Sequence, residues 1–175
     1  MAVSCTVIKS VAARGGPPGE ALATVNDILC DGNDAAMFVT VFYGVLDSRT
    51  GRLTYVNAGH NPPYLMRRGG HPEPLATTEG MALGVMDGLA YAEGTLDLTA
   101  GDTIFCYTDG ITEAFDTDGS EFTEARLEAA LYDSRGVSVD MVGGSVIDRV
   151  HQFAGEAPQS DDITCMVIRY HGGAS

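Results

Sequence analysis

Two patterns in this 175-residue sequence predict an α+β fold, an antiparallel sheet covered by helices. Extended apolar runs follow one another through the middle of the chain. Helix-period segments sit at its start and between its last two strands. With no internal repeat and no low-complexity linker, residues 1–175 read as one domain, long enough to enclose a core.

Met1 to Ala13 is apolar and rich in small residues, GGPPGE breaks it, and Leu22, Val25, Ile28 and Leu29 recur at helical spacing. A helix, a turn and a second helix follow, the second starting just after Pro17 and Pro18, because proline is tolerated in a first turn. FVTVFYGVL, DSRTG and RLTYVNA then read as a hairpin. Positions 38–46 are apolar on both faces, which predicts a central strand covered on each side. NPPYLMRR continues as a further strand or edge, and 82–85 and 91–98 are short extended segments. TAGD turns into a strand at 103–108, helices follow at 122–131 and 139–153, and ITCMVIRY at 163–170 closes the chain as a strand.

Ten basic against 24 acidic residues give a net charge of −14, with no basic run that would hold a phosphate backbone, so nucleic acid is not an expected partner. No apolar stretch reaches the roughly 20 residues of a membrane helix, and the N-terminus lacks the order of a secretory signal. Cys5, Cys30, Cys106 and Cys165 form no CxxC pair and read as reduced thiols. The expected location is the cytoplasm.

The stretch FCYTDGITEA puts a carboxylate at the end of an apolar strand. Asp109 follows the strand 103–108, and Asp161 and Asp162 precede the strand 163–170. If these strands are antiparallel neighbours, three carboxylates meet at one sheet edge. Clustered carboxylates repel unless a cation sits among them, and hard ions such as Mg²⁺ or Mn²⁺ take such oxygens while keeping several waters. Gly110 would let the backbone approach closely, and a metal-bound water would be the nucleophile of a phosphate hydrolase. The competing reading has Asp109 capping a helix that begins near Ile111, with Asp161 and Asp162 in a solvated turn.

Other residues carry weaker signals. His60, in NAGHNPP, has the chemistry to protonate a leaving alkoxide, but that run is turn chemistry, and a histidine fixing a loop is the commoner case. FDTDGSEF fails as a calcium loop because Ala114 and Ala125 fall at both end-ligand positions, which leaves a surface turn. A nucleophilic-aspartate phosphatase would need a carboxylate where Tyr107 stands. Arg67 and Arg68 could attract a phosphorylated partner, although two arginines beside glycines more often mark a solvated turn.

Four segments resemble the SpoIIE-like (RsbU-type) branch of the metal-dependent, protein phosphatase 2C-like serine/threonine phosphatases. They are MFVTVFYGVLDSRTGRLTYVNAGHNPPYL, LTAGDTIFCYTDGITEAFDTDGSEF, VHQFAGEAPQSDDITCMVIR and the opening helix pair with ALATVNDIL. The resemblance implies a β-sandwich of antiparallel sheets flanked by helices, with a binuclear Mn²⁺ or Mg²⁺ centre whose bridging water attacks phosphoserine or phosphothreonine. It maps Asp109 and Asp161 to metal ligands and leaves Gly110 and Asp162 beside them. It implies a phosphorylated regulator as substrate, typically an anti-sigma-factor antagonist in bacterial partner switching, and leaves a homodimer open. The family's GGDxYD and DxSGxG motifs do not occur, so the expected domain is N-terminally incomplete and lacks its first strands. The alternative is a non-catalytic fragment or pseudophosphatase acting as an interaction module.

Overall fold

A computed structural model describes residues 2–173, so Met1 of the first expected helix lies outside the described residues. The elements run α1 (Ala2–Ala12), α2 (Pro18–Cys30), β1 (Val41–Asp47), β2 (Arg52–Ala58), β3 (Tyr64–Met66), β4 (Pro72–Pro74), β5 (Gly94–Asp97), β6 (Thr103–Tyr107), α3 (Thr123–Asp133), α4 (Val139–Ala154) and β7 (Cys165–Arg169). They form two compact units, each with one antiparallel sheet and one helix pair.

The first unit comprises Met1–Pro62, Ala76–Leu98 and Gly173–Ser175. Its sheet has the order β1-β2-β5, with β1 and β2 in register from Val41↔Ala58 to Asp47↔Arg52. Helix α2 starts at Pro18 itself, one residue before the expected start, because a first-turn residue needs no N–H partner. Leu22 and Val25 of α2 pack with Val56, Ala58, Leu83 and Tyr91 in a single cluster. Asn26 is fully buried in this unit; its Nδ2 donates to Met86 O at 2.8 Å, and its Oδ1 accepts from Gly84 N at 3.0 Å. Two backbone groups of the 84–86 loop are thereby satisfied from inside a helix.

The expectation that positions 38–46 form a central, doubly covered strand is not met. Among the described residues β1 is the edge of its sheet, bonded to β2 alone, and Phe38 and Val45 are 63% and 46% exposed. An apolar run reports the polarity of both faces but not what covers them, and coverage is a tertiary property. The 82–85 segment contributes only an isolated bridge, Leu83 to Val39.

The second unit comprises Pro63–Leu75 and Thr99–Gly172. Its sheet order is β4-β3-β6-β7. The short β4 was not expected from sequence; proline at both its ends suits an edge strand, where a missing donor costs no ladder bond. Helix α4 places Val142, Val146 and Val150 one turn apart, all fully buried with Phe105, Ile111, Leu127 and Leu131. Each such side chain contributes about 1.5–3 kcal/mol relative to exposure. The strands β6 and β7 pair antiparallel from Thr103↔Arg169 to Tyr107↔Cys165, the neighbourhood on which the carboxylate argument depends.

Candidate functional site

Because β6 and β7 are antiparallel neighbours, the residue that leaves β6 and the residues that enter β7 lie at one edge of the sheet. Thr108 fastens the two. Its N–H donates to Thr164 O at 3.0 Å, its Oγ1 donates to Asp162 O at 2.8 Å, and the same oxygen accepts from Thr164 N at 3.0 Å. Asp109 comes next, exposed, with Asp161 and Asp162 exposed across from it.

Gly110 is buried, and a Cβ there would lie 2.5 Å from Asp162 O and 3.3 Å from Asp161 C. Only a hydrogen at that position lets the backbone of the 161–162 loop lie against the 109–110 turn, so the glycine sets the distance between the two acidic segments. The close approach observed at Gly110 is to the protein backbone of residues 161–162.

The helix-cap reading of Asp109 fails. Residues 109–113 form a turn rather than a helix, closed by Ile111 N to Thr108 O at 3.1 Å and Glu113 N to Asp109 O at 2.8 Å. The Asp109 carboxylate instead accepts from the adjacent Gly110 N at 3.0 Å, and Asp161 likewise accepts from Asp162 N at 2.6 Å. Gln159 Nε2 donates to Asp161 O at 2.7 Å, and Ser160 Oγ donates to Glu113 O at 3.3 Å, holding the approach to β7. Thr108, Gln159 and Ser160 escaped the sequence reading; the one available signal was that Thr108 adjoins Asp109 within the TDG run.

Among the described residues no three His, Cys, Asp or Glu side chains come together as a metal-holding group. Two exposed carboxylates at one edge still fit part of a hard-cation site, since Mg²⁺ retains several waters and takes one or two protein carboxylates.

His60 belongs to the first unit. It closes a loop: its N–H donates to Asn57 Oδ1 and its carbonyl accepts from Asn57 Nδ2, both at 2.8 Å, with Nδ1 3.0 Å from Asn61 O. The commoner reading of that histidine, loop fixation, describes these contacts. In the 115–121 hairpin Asp116 Oδ1 accepts from Asp118 N at 2.9 Å and Ser120 N at 2.8 Å, a surface turn as expected. Tyr107 is buried, with its hydroxyl pushed up to about 12 chiefly by desolvation.

The family model for SpoIIE, described as Stage II sporulation protein E, matches residues 1–171. The chain belongs to the SpoIIE family. The resemblance to protein phosphatases inferred from NAGHNPP, YTDGITEA and SDDIT is thereby borne out. Protein IcfG of Synechocystis is 31% identical over 152 residues, covering 85% of this chain and 23% of that protein. Phosphoserine phosphatase RsbU of Bacillus subtilis is 28% identical over 152 residues, covering 87% of this chain and 45% of RsbU. The chain therefore spans less than half the length of either relative.

The RsbU and RsbW domains of Rv1364c from Mycobacterium tuberculosis superpose with a TM-score of 0.84 at 22% identity, covering 100% of this chain and 48% of that one. The phosphatase domain of SpoIIE from Bacillus subtilis, presoaked with Mn, gives a TM-score of 0.68 at 16% identity, covering 98% and 75%. Both show the fold: antiparallel sheets flanked by helices, as the sequence predicts.

Proposed function

We propose that the 175 residues form one SpoIIE-like phosphatase domain that takes part in divalent-metal-dependent hydrolysis of a phosphoserine or phosphothreonine on a regulatory protein. The observation that supports this most is the β6–β7 pairing, which brings Asp109 and Asp161 to one edge with Gly110 packed on the 161–162 backbone. Asp109 and Asp161 would hold a Mn²⁺ or Mg²⁺ ion as part of its ligand set, with Asp162 beside them and Gly110 setting their separation. When bound, such an ion supplies Lewis-acid polarisation of a phosphoryl oxygen and a water of lowered pKa. The chain's own contribution is to fix two carboxylates through Thr108 and the turn at 109–113, and to leave them open to a protein substrate.

A phosphorylated antagonist in partner-switching signalling is the substrate class this reading favours, in keeping with one relative named RsbU and a neighbour that joins RsbU to RsbW domains. We place the activity in the cytoplasm; no helix among the described residues is long and apolar enough to cross a membrane. His60 lies outside this assignment because its contacts fix a loop.

The test is calorimetric Mn²⁺ titration together with phosphate release from a phosphoserine peptide, on the chain and on Asp109→Asn. Removing one charge at constant volume is expected to weaken Mn²⁺ binding about tenfold or more while stability shifts by less than about 1 kcal/mol. Unchanged Mn²⁺ affinity in a folded Asp109→Asn protein would overturn the assignment.

A further inference from the structure

We infer that the second unit carries an anion-binding cleft, suited to a small polyphosphate, at the end of its sheet opposite the carboxylates. The cleft has a volume of about 380 Å³, within the range of small-molecule sites, and Arg67, Arg68, Arg135 and Arg169 line it. Four of the chain's ten basic residues thus meet at one place in a protein of net charge −14. No acidic side chain lines the cleft among the described residues.

Three of these guanidinium groups are held in place before any ligand arrives. Arg169 Nε donates to Thr103 Oγ1 at 2.9 Å and its Nη2 to Val137 O at 3.0 Å. Arg135 lies over the Tyr132 ring, 3.2 Å from its centroid, with Nε donating to Tyr132 O at 2.7 Å and Nη1 to Gly70 O at 3.3 Å. Neutral acceptors orient these groups without cancelling their charge. Arg67 alone has an anionic partner, the buried Asp102, at 2.8 Å. That carboxylate also accepts from Thr99 N at 2.9 Å and Thr99 Oγ1 at 3.0 Å. Arg68 is exposed, with nothing to neutralise it among the ion pairs of the described residues.

Four positive charges against one buried negative leave a local excess of three, enough to reverse the repulsive field of the chain at short range. Planar guanidinium forks match phosphate oxygens in pairs. Several such forks around one volume favour a ligand with more than one phosphate group. Thr103 and Arg169 pair at one end of β6–β7, while Asp109 follows the other end, so about six residues of strand, or about 20 Å, separate the cleft from the carboxylate edge. The cleft is thus a second site, and its occupancy does not depend on the metal assignment.

The probe is inorganic pyrophosphate, titrated calorimetrically into the full chain in metal-free, low-salt buffer. Saturable one-to-one binding tighter than about 1 mM is expected, weakening as salt rises. Arg68→Glu and Arg169→Gln should each weaken it about tenfold or more, while Arg49→Glu, in the first unit, and Asp109→Asn leave it unchanged. Circular dichroism verifies that each variant is folded. Absence of saturable binding, equal weakening by Arg49→Glu, or binding of an acidic phosphopeptide but not pyrophosphate would each overturn the proposal.

Discussion

Substituting alanine for Gly110 tests the geometry that joins the two acidic segments. The new Cβ would sit 2.5 Å from Asp162 O and 2.9 Å from Asp162 C, where ordinary contact begins at 3.4 Å. Both obstacles are backbone, so no side chain can swing aside. Turn and loop must part by about 0.9 Å, the shortfall from ordinary contact. The bond most exposed to that movement is Thr108 Oγ1 to Asp162 O at 2.8 Å. Overpacking together with a weakened hydrogen bond costs about 2–4 kcal/mol, and the reduced freedom of the unfolded chain returns about 0.4–1 kcal/mol. The net loss of about 1–3 kcal/mol corresponds to a fall in Tm of roughly 2–12 °C for a chain of this size.

Gly144→Ala is the matched control: that glycine lies inside α4 with nothing within 4 Å of the added carbon, so the change should stabilise by about 0.5–1 kcal/mol. Urea unfolding measures both variants. Mn²⁺ titration of Gly110→Ala should in addition show weaker binding, since parting the turn from the 161–162 loop would move Asp109 away from Asp161, the two residues that would hold the ion. A Gly110→Ala protein as stable as its parent, with unaltered Mn²⁺ affinity, would refute the close approach as the determinant of this edge.

Other perturbations follow from the cores. Asn26→Ala leaves Gly84 N and Met86 O without their buried partner and should cost about 2–4 kcal/mol in urea unfolding. At alkaline pH, desolvation holds the Cys106 thiol up to about 11 from an ordinary 9.0 and the Tyr107 hydroxyl up to about 12 from 10.0. The unfolded chain releases these protons first, so stability that is complete below pH 9 should decline from pH 9 to 12. Cys106→Ala should flatten the pH 9–11 part of that decline, by less than about 3 kcal/mol because the thiol is only partly buried; stability followed against pH by circular dichroism measures it.

Much of the second unit is legible from local pattern. The helix period over 139–153 and the apolar runs at 103–108 and 163–170 appear within a residue or two of their predicted ends, because amphipathic spacing is written along the chain itself. The TDG and DDIT runs likewise mark Asp109 and Asp161, by their place at the ends of two apolar strands and by family resemblance. The 38–46 run is equally apolar yet forms an edge, since local polarity does not say which strand lies alongside.

Sequence by itself determined the α+β class, the order of most elements, the acidic character that disfavours nucleic acid, and the motifs that place the chain in its family. Tertiary structure decided which strands pair, and with that the placement of Asp109 and Asp161 at one edge of the β6–β7 pair. It also decided that Arg135 and Arg169 join Arg67 and Arg68 around one cleft, although they lie far apart along the chain. Side-chain period and turn preference act over a few residues and survive in the linear string. Charge density and metal-ligand geometry depend on distances that only the folded backbone sets.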